Sequence, residues 1–207
     1  LYSANIPKER NYICSMKILI VAATDFELEK DQFSAHEILI TGVGILETTL
    51  ELTKKLALNS YDLVINAGIA GSFDKKIKIG DVVEVTEDIL SELGYEEKET
   101  FFEFKSFSIP NKFTVDSKTD LLKVKSSTVN TVSGNTTIVK KIKNRLSPDI
   151  ETMEGAAVFR VCNDFNIPCM QIRSVSNFVG ERNKKDWNID LAIKNLNISL
   201  NKIIISL

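Results

Sequence analysis

EILITGVGILETTLELTKKLAL, residues Glu37 to Leu58, passes from one kind of local structure to another within a single stretch. Its first part, EILITGVG, is an apolar, β-branched run closed by glycines, which suits a strand. Its second part, Ile45–Leu58, has helical spacing: Leu46, Leu50 and Lys54, with Leu52 and Leu56, flank one face. A strand that turns on glycine into a helix is the repeating unit of α/β proteins.

The alternation holds outward from there. KILIVAA (Lys17–Ala23) is a strand on the N-terminal side. DLVINAGIAGSF (Asp62–Phe73) reads as a strand ending in a glycine loop, and IGDVVEVTEDI (Ile79–Ile89) as a strand. SSTVNTVSG (Ser126–Gly134) is strand-like and TTIVKKIKNRL (Thr136–Leu146) helical. IETM leads into the helix EGAAVFRVCNDF (Glu154–Phe165). CMQIRSVS (Cys169–Ser176) is a strand, and Asp186–Ile205 closes the chain as an amphipathic helix. Strands alternating with helices imply an α/β sheet covered on both faces. Glu92–Ser117 is less regular and carries Phe101, Phe102, Phe104 and Phe107. It reads as a β-excursion with core phenylalanines, with a lid or partner-facing surface as the other reading.

The 207 residues suit one domain, 16–207. Residues 1–15 precede Met16 and are expected to be a leader or upstream extension. A net charge of −2 favours neither a phosphate backbone nor an anionic membrane. The apolar runs fall short of a membrane span. One histidine, His36, and three cysteines without ligand spacing leave a metal site unsupported. An odd cysteine count suits a reducing, cytoplasmic setting.

Several segments can carry chemistry. GVGILE lacks the third glycine of a dinucleotide fingerprint, and NAGIAGSF lacks the Lys-Ser/Thr of a phosphate loop. Both can let backbone approach a ligand, and both can be ordinary turns. ATDFELE (Ala23–Glu29) places acids just past the first strand, where ligand crevices form in open α/β sheets. Glu27 is either a general base there or a solvated acid in a helix start capped by Thr24 or Asp25. DIETMEGAAVF (Asp149–Phe159) sets Glu151 and Glu154 around Met153, before three small residues. A carboxylate there can accept two vicinal hydroxyls, as on a ribose, or can complement a helix dipole.

Taken together, TGVG, INAGIAGSF, IGDVV, TMEGAA and RSVSN resemble, in order, the nucleoside phosphorylase/nucleosidase superfamily. The likeness is closest to its hydrolytic branch, the methylthioadenosine/adenosylhomocysteine nucleosidases and futalosine hydrolases. The resemblance implies a three-layer α-β-α sandwich around a mixed, twisted sheet, a homodimer, a purine nucleoside substrate and no cofactor. It implies that Glu27 activates the attacking water, with Thr24 beside it. It makes Met153 and Glu154 the ribose-binding pair and places Ala70 and Gly71 as backbone near base and ribose. Arg173 and Ser176 match residues that support the water and the strand end. Ile69 stands where methylthioadenosine nucleosidases often have serine, so no side-chain hydrogen bond carries over there.

The phosphorolytic relatives hold phosphate near the first strand. Here that turn offers Asp25 and Glu27, which would repel a dianion, so water is the expected nucleophile. Asn177 stands where methylthioadenosine nucleosidases have aspartic acid. Adenine presents an acceptor at N7 and a donor at N6, whereas a 6-oxopurine presents two acceptors, N7 and O6. An amide NH₂ can donate to both, and a buried mismatch costs roughly 1–3 kcal/mol. The alternative is an asparagine that caps the next turn. Within the resemblance, this points to futalosine, a hypoxanthine nucleoside with an aryl-carboxylate 5′ end. Arg182 can pair with that carboxylate and Trp187 can pack on the ring; equally, Arg182 can be a solvated loop residue and Trp187 a core anchor.

Overall fold

The computed structural model describes residues 16–98, 100–104, 109–181 and 183–207. The expected leader (residues 1–15), Phe107 and Arg182 lie outside the described residues. The strands are β1 (Ile18–Ala22), β2 (Glu37–Ile40), β3 (Leu63–Ser72), β4 (Val82–Leu90), β5 (Gly94–Glu97), β6 (Thr100–Glu103), β7 (Lys112–Thr114), β8 (Leu122–Thr128), β9 (Ile150–Thr152) and β10 (Cys169–Phe178). The helices are α1 (Ile45–Leu58), α2 (Thr136–Leu146), α3 (Gly155–Asp164) and α4 (Ile189–Ser206).

Eight strands form one mixed sheet in the order β10-β4-β8-β9-β3-β1-β2, with β7 on β4 and a further pairing of β10 with β3. That pairing closes β3, β10, β4, β8 and β9 into a ring. Parallel pairs (β1 with β2 and β3, β3 with β10) stand beside antiparallel ones (β4 with β10, β3 with β9). Such a sheet buries both faces, so β1 is buried along its whole length. Leu19, Val21, Val64 and Val85 pack with Leu52 and Leu56 of α1 and Phe159 and Val161 of α3. Ile18, Ile20, Ile65 and Ile172 pack on the opposite face with Leu196 and Leu200 of α4. This is the expected three-layer α/β sandwich.

Local chemistry sets the helix bounds. Asn135 accepts from Thr137 N at 2.8 Å to start α2, and Asn188 accepts from Leu191 N at 3.1 Å to start α4. Gly44, at φ 97°, precedes α1 in a conformation that glycine adopts without a Cβ clash.

Four expectations change. In α1 the buried stripe is Thr48, Leu52 and Leu56, while Leu46 is 76% exposed and Leu50 is also exposed. The apolar spacing there serves two faces, not one. β3 does not end in a glycine loop but runs through Gly68 and Gly71 to Ser72. The strand read at Ser126–Gly134 starts earlier, at Leu122, and stops at Thr128. The described part of Glu92–Ser117 is a β-excursion, as read, but Phe102 and Phe104 are exposed and gather with Tyr95 at ring separations of 5.3 and 5.7 Å. Phe101 lies under the Arg145 guanidinium, 3.7 Å away.

Candidate active site

β1 ends at Ala22, and the chain turns at once through a short 3₁₀ helix, Asp25–Glu27. The turn aims the two acids apart. Asp25 points out and pairs with Lys30, whereas Glu27 is buried. Glu27 Oε2 accepts from Thr24 N and Thr24 Oγ1, both at 3.0 Å, and Oε1 accepts from Ile69 N at 3.1 Å. From behind, Asn197 of α4 donates to the Glu27 carbonyl at 3.0 Å and accepts from Glu29 N at 2.8 Å. Thr24 does stand at the helix start, as the alternative had it, but Glu27 is buried there and not solvated. The electrostatic argument against phosphate now rests on Glu27 alone, because Asp25 is outside the cleft.

Gly68 lies within β3 for a steric reason. A Cβ there would fall 2.2 Å from Arg173 Nη1 and 2.8 Å from Glu27 Oε1. A side chain at residue 68 is therefore incompatible with the approach of these two groups.

Glu154 precedes α3 but makes no capping bond to its own helix. Instead Oε1 accepts from Gly44 N, at the start of α1, at 3.0 Å. Its Oε2 lies 3.8 Å from Arg173 Nη2. Burial pushes the Glu154 acid above its ordinary range; the Arg173 charge and the Gly44 N–H work against that. Arg173 is fully buried and donates to Asn66 Oδ1 at 2.5 Å. It stands behind the cleft and does not line it, so its expected support of the site runs through Glu154 and Asn66.

β10 carries the asparagine. Its register on β3 shifts between Val175 and Asn177, a bulge at Ser176. In a regular strand, neighbours face opposite sides; the bulge turns both Ser176 and Asn177 into the cleft. Ser176 Oγ donates to Asn177 Oδ1 at 2.8 Å, and Asn177 Nδ2 donates to the Phe178 carbonyl at 3.1 Å. One amide hydrogen is thus committed to backbone and one remains. The expectation that the NH₂ serves two base acceptors at once is reduced to one free N–H.

Glu27, Glu154, Asn177, Thr24, Ala70, Gly71, Met153, Ser176 and Trp187 line one cavity of about 210 Å³. The same cavity includes residues that sequence reasoning did not place there: Phe26, Val43 and Ser133. Glu151 lines it too, buried and accepting from Ser133 N at 2.9 Å and Ser133 Oγ at 2.5 Å. Burial pushes the Glu151 acid up, against the pull of Ser133. No helix among the described residues is long and apolar enough to cross a membrane.

The fold and the cleft define a class, and comparison agrees. Residues 24–205 match the model of the phosphorylase superfamily, and the chain belongs to that family. Within it, the chain is similar to a 5′-methylthioadenosine/S-adenosylhomocysteine nucleosidase of Tolumonas auensis, 26% identical over 90% of this chain and 88% of that one. It is similar to a futalosine hydrolase of Streptomyces coelicolor, 27% identical over 69% of this chain and 65% of that one. The fold superposes on a Helicobacter pylori MTAN mutant with 5′-methylthioadenosine in its active site, at a TM-score of 0.81 and 17% identity, over 93% and 99% of the two chains. Its relatives are N-glycosyl hydrolases, and the chain is an enzyme of that class.

Proposed function

We propose that this enzyme hydrolyses the N-glycosidic bond of a 6-oxopurine nucleoside, that the nucleoside is futalosine, and that hypoxanthine is released on the futalosine route to menaquinone. The observation that carries the reading is Asn177: a neutral amide with one free N–H at the strand end, lining the same cleft as Glu27 and Glu154.

In this reading Glu27 polarises a water for attack at C1′. Its carboxylate is fixed in orientation by three donors, which leaves lone pairs for that water. Glu154 accepts from ribose hydroxyls and steadies the oxocarbenium-like charge that builds as the base leaves. Met153 packs against the sugar, and Ala70 and Gly71 bring backbone close to sugar and base. Asn177 donates to the base edge where negative charge develops; it has no acidic proton to transfer. Trp187 at the cleft borders the 5′ group, with Arg182 as its carboxylate partner. Phe26, 62% exposed, and Val43 line the cleft, and Leu46 and Leu50 of α1 are exposed as well. That apolar surface beside the cleft supports a homodimer, working in the cytoplasm.

A second reading, methylthioadenosine/adenosylhomocysteine nucleosidase, is favoured by the greater coverage of the Tolumonas relative. One assay separates them. Purified protein is given futalosine, methylthioadenosine and inosine, with and without phosphate, and free base is followed. Phosphate-independent release, fastest from futalosine, is expected. Preference for methylthioadenosine would overturn the futalosine assignment, and a phosphate requirement would overturn hydrolysis.

A further inference from the structure

Asn197 sits in the middle of α4, completely buried and outside the cleft. Asparagine is a poor helix former, and a buried amide costs stability unless its donors and acceptor find partners. Here they all do. Nδ2 donates to the Ile193 carbonyl of its own helix at 2.8 Å, which ties the side chain to α4. The rest of the amide reaches across to the segment that carries Glu27. Nδ2 also donates to the Glu27 carbonyl at 3.0 Å, and Oδ1 accepts from Glu29 N at 2.8 Å.

The backbone at Glu27 needs such support. Glu27 ends a 3₁₀ helix of three residues whose own bond, from Glu27 N to the Thr24 carbonyl, is long at 3.4 Å. Leu28 after it is extended, at φ −121° and ψ 129°. In an extended segment the carbonyl before a residue and the N–H after it point to the same side, where a neighbouring strand would pair with both. Residues 27–29 belong to no strand. The Asn197 amide takes the neighbour's place, offering one donor and one acceptor as a peptide group does. Leu28 itself packs in one apolar cluster with Leu196 and Leu200 of α4. The Glu27 carboxylate is gripped by Thr24 and Ile69, so a shift of its backbone would carry it off those donors. We infer that Asn197 is a positioning residue for the hydrolysis: its amide clamps the backbone on both sides of Leu28 and so fixes the Glu27 carboxylate against the attacking water. The inference rests on the reading of Glu27 as the water-activating group and adds that the last helix holds it in place.

The test is a double-mutant cycle in turnover. Asn197→Leu keeps the size of the side chain and the helix, and removes both ends of the clamp. Base release from the preferred nucleoside is measured for the native protein, Asn197→Leu, Glu27→Gln and the double variant, with affinity for the released base beside it. In Asn197→Leu, kcat should fall roughly 10- to 100-fold, the cost of a misplaced reacting group, while KM and base affinity stay within about twofold. In the Glu27→Gln background the same substitution should change kcat by less than about twofold, because no carboxylate is left to place. A merely structural asparagine would cost the same factor in both backgrounds, and that result overturns the inference. A loss carried by KM or base affinity overturns it too, as does no loss at all. Normal turnover in Glu27→Gln, or none by the native protein, would sink the reading of Glu27 and this inference together. A slow Glu27→Gln beside an unimpaired Asn197→Leu would sink this inference alone. If Asn197→Leu does not fold, Asn197→Ala takes its place in the same cycle, with the same outcomes.

Discussion

The Arg173 guanidinium stands 3.8 Å from the Glu154 carboxylate, with both side chains buried. Burial raises the Glu154 acid, and Arg173 is the first force against it. Arg173→Met removes that counterweight, so the Glu154 acid should rise further. A carboxyl raised in the folded state weighs against folding once the pH passes its unfolded range, and the full penalty is present above its folded one. The variant should therefore lose on the order of 3–5 kcal/mol near neutral pH and less near pH 4. Denaturant unfolding at the two pH values reads this; a loss independent of pH would trace to packing.

Glu27→Gln tests the water-activating role. The amide keeps the size of the side chain but turns one end into a donor facing Thr24 or Ile69, both donors already. Turnover should fall by roughly 10²–10⁴, the usual share of a positioned base, while hypoxanthine still binds. Normal turnover in the variant would remove Glu27 from that role.

How much of this was legible varies by residue, for physical reasons. α1 and α2 emerge with their observed bounds because Gly44 and Asn135 mark their starts. The buried face of α1 does not, because Leu46 and Leu50 are apolar yet exposed, and spacing alone cannot tell core from open surface. Gly68 and Gly71 suggest a loop because glycine weakens strands; only the structure shows side chains crowding the space above them. Ser176 and Asn177 should face opposite sides by strand period, and a bulge leaves no mark in the sequence. The Glu151–Ser133 pair joins residues from separate elements and has no periodic signal. The cleft acids, by contrast, were readable as a set, since Glu27 and Glu154 both sit at element ends where open α/β sheets bind ligands.

Asn177→Asp should change base preference in a pH-dependent way. Asn177 Nδ2 donates to the Phe178 carbonyl, so a carboxylate oxygen at that place would face another acceptor. The introduced acid should hold its proton above the ordinary carboxylate range. With the proton on, it can donate to N7 of adenine and accept from N6. Hydrolysis of hypoxanthine nucleosides should fall about tenfold or more, matching a mismatch of roughly 1–3 kcal/mol. Hydrolysis of methylthioadenosine should gain, most at acidic pH. Ratios of kcat/KM for the two substrates across pH 5–8 check this, and an unchanged ratio would refute the edge readout by Asn177.

Asp88 is a buried acid outside the cleft, beneath the start of α3. It accepts from Thr128 Oγ1 at 2.7 Å and from Gln171 Nε2 at 3.1 Å, and Thr128 Oγ1 in turn accepts from Ala156 N at 3.0 Å. Burial raises its pKa to about 6, against those hydrogen bonds and the Arg173 charge. The unfolded acid titrates near 3.9. Below about pH 4 both states are protonated and the group is neutral to stability. Between about pH 4 and 6 the folded state holds its proton longer, so stability falls as pH rises, and the full penalty stands above 6. Asp88→Asn removes the titration and keeps the shape. Gln171 Oε1 has no hydrogen-bond partner, so the glutamine amide can turn and accept from the new Asn NH₂. Native protein and variant should be about equally stable at pH 4, and the variant should lead by on the order of 1–3 kcal/mol at pH 7. Parallel stability curves across that range would show that Asp88 does not titrate there, and its hydrogen bonds would then outweigh its burial.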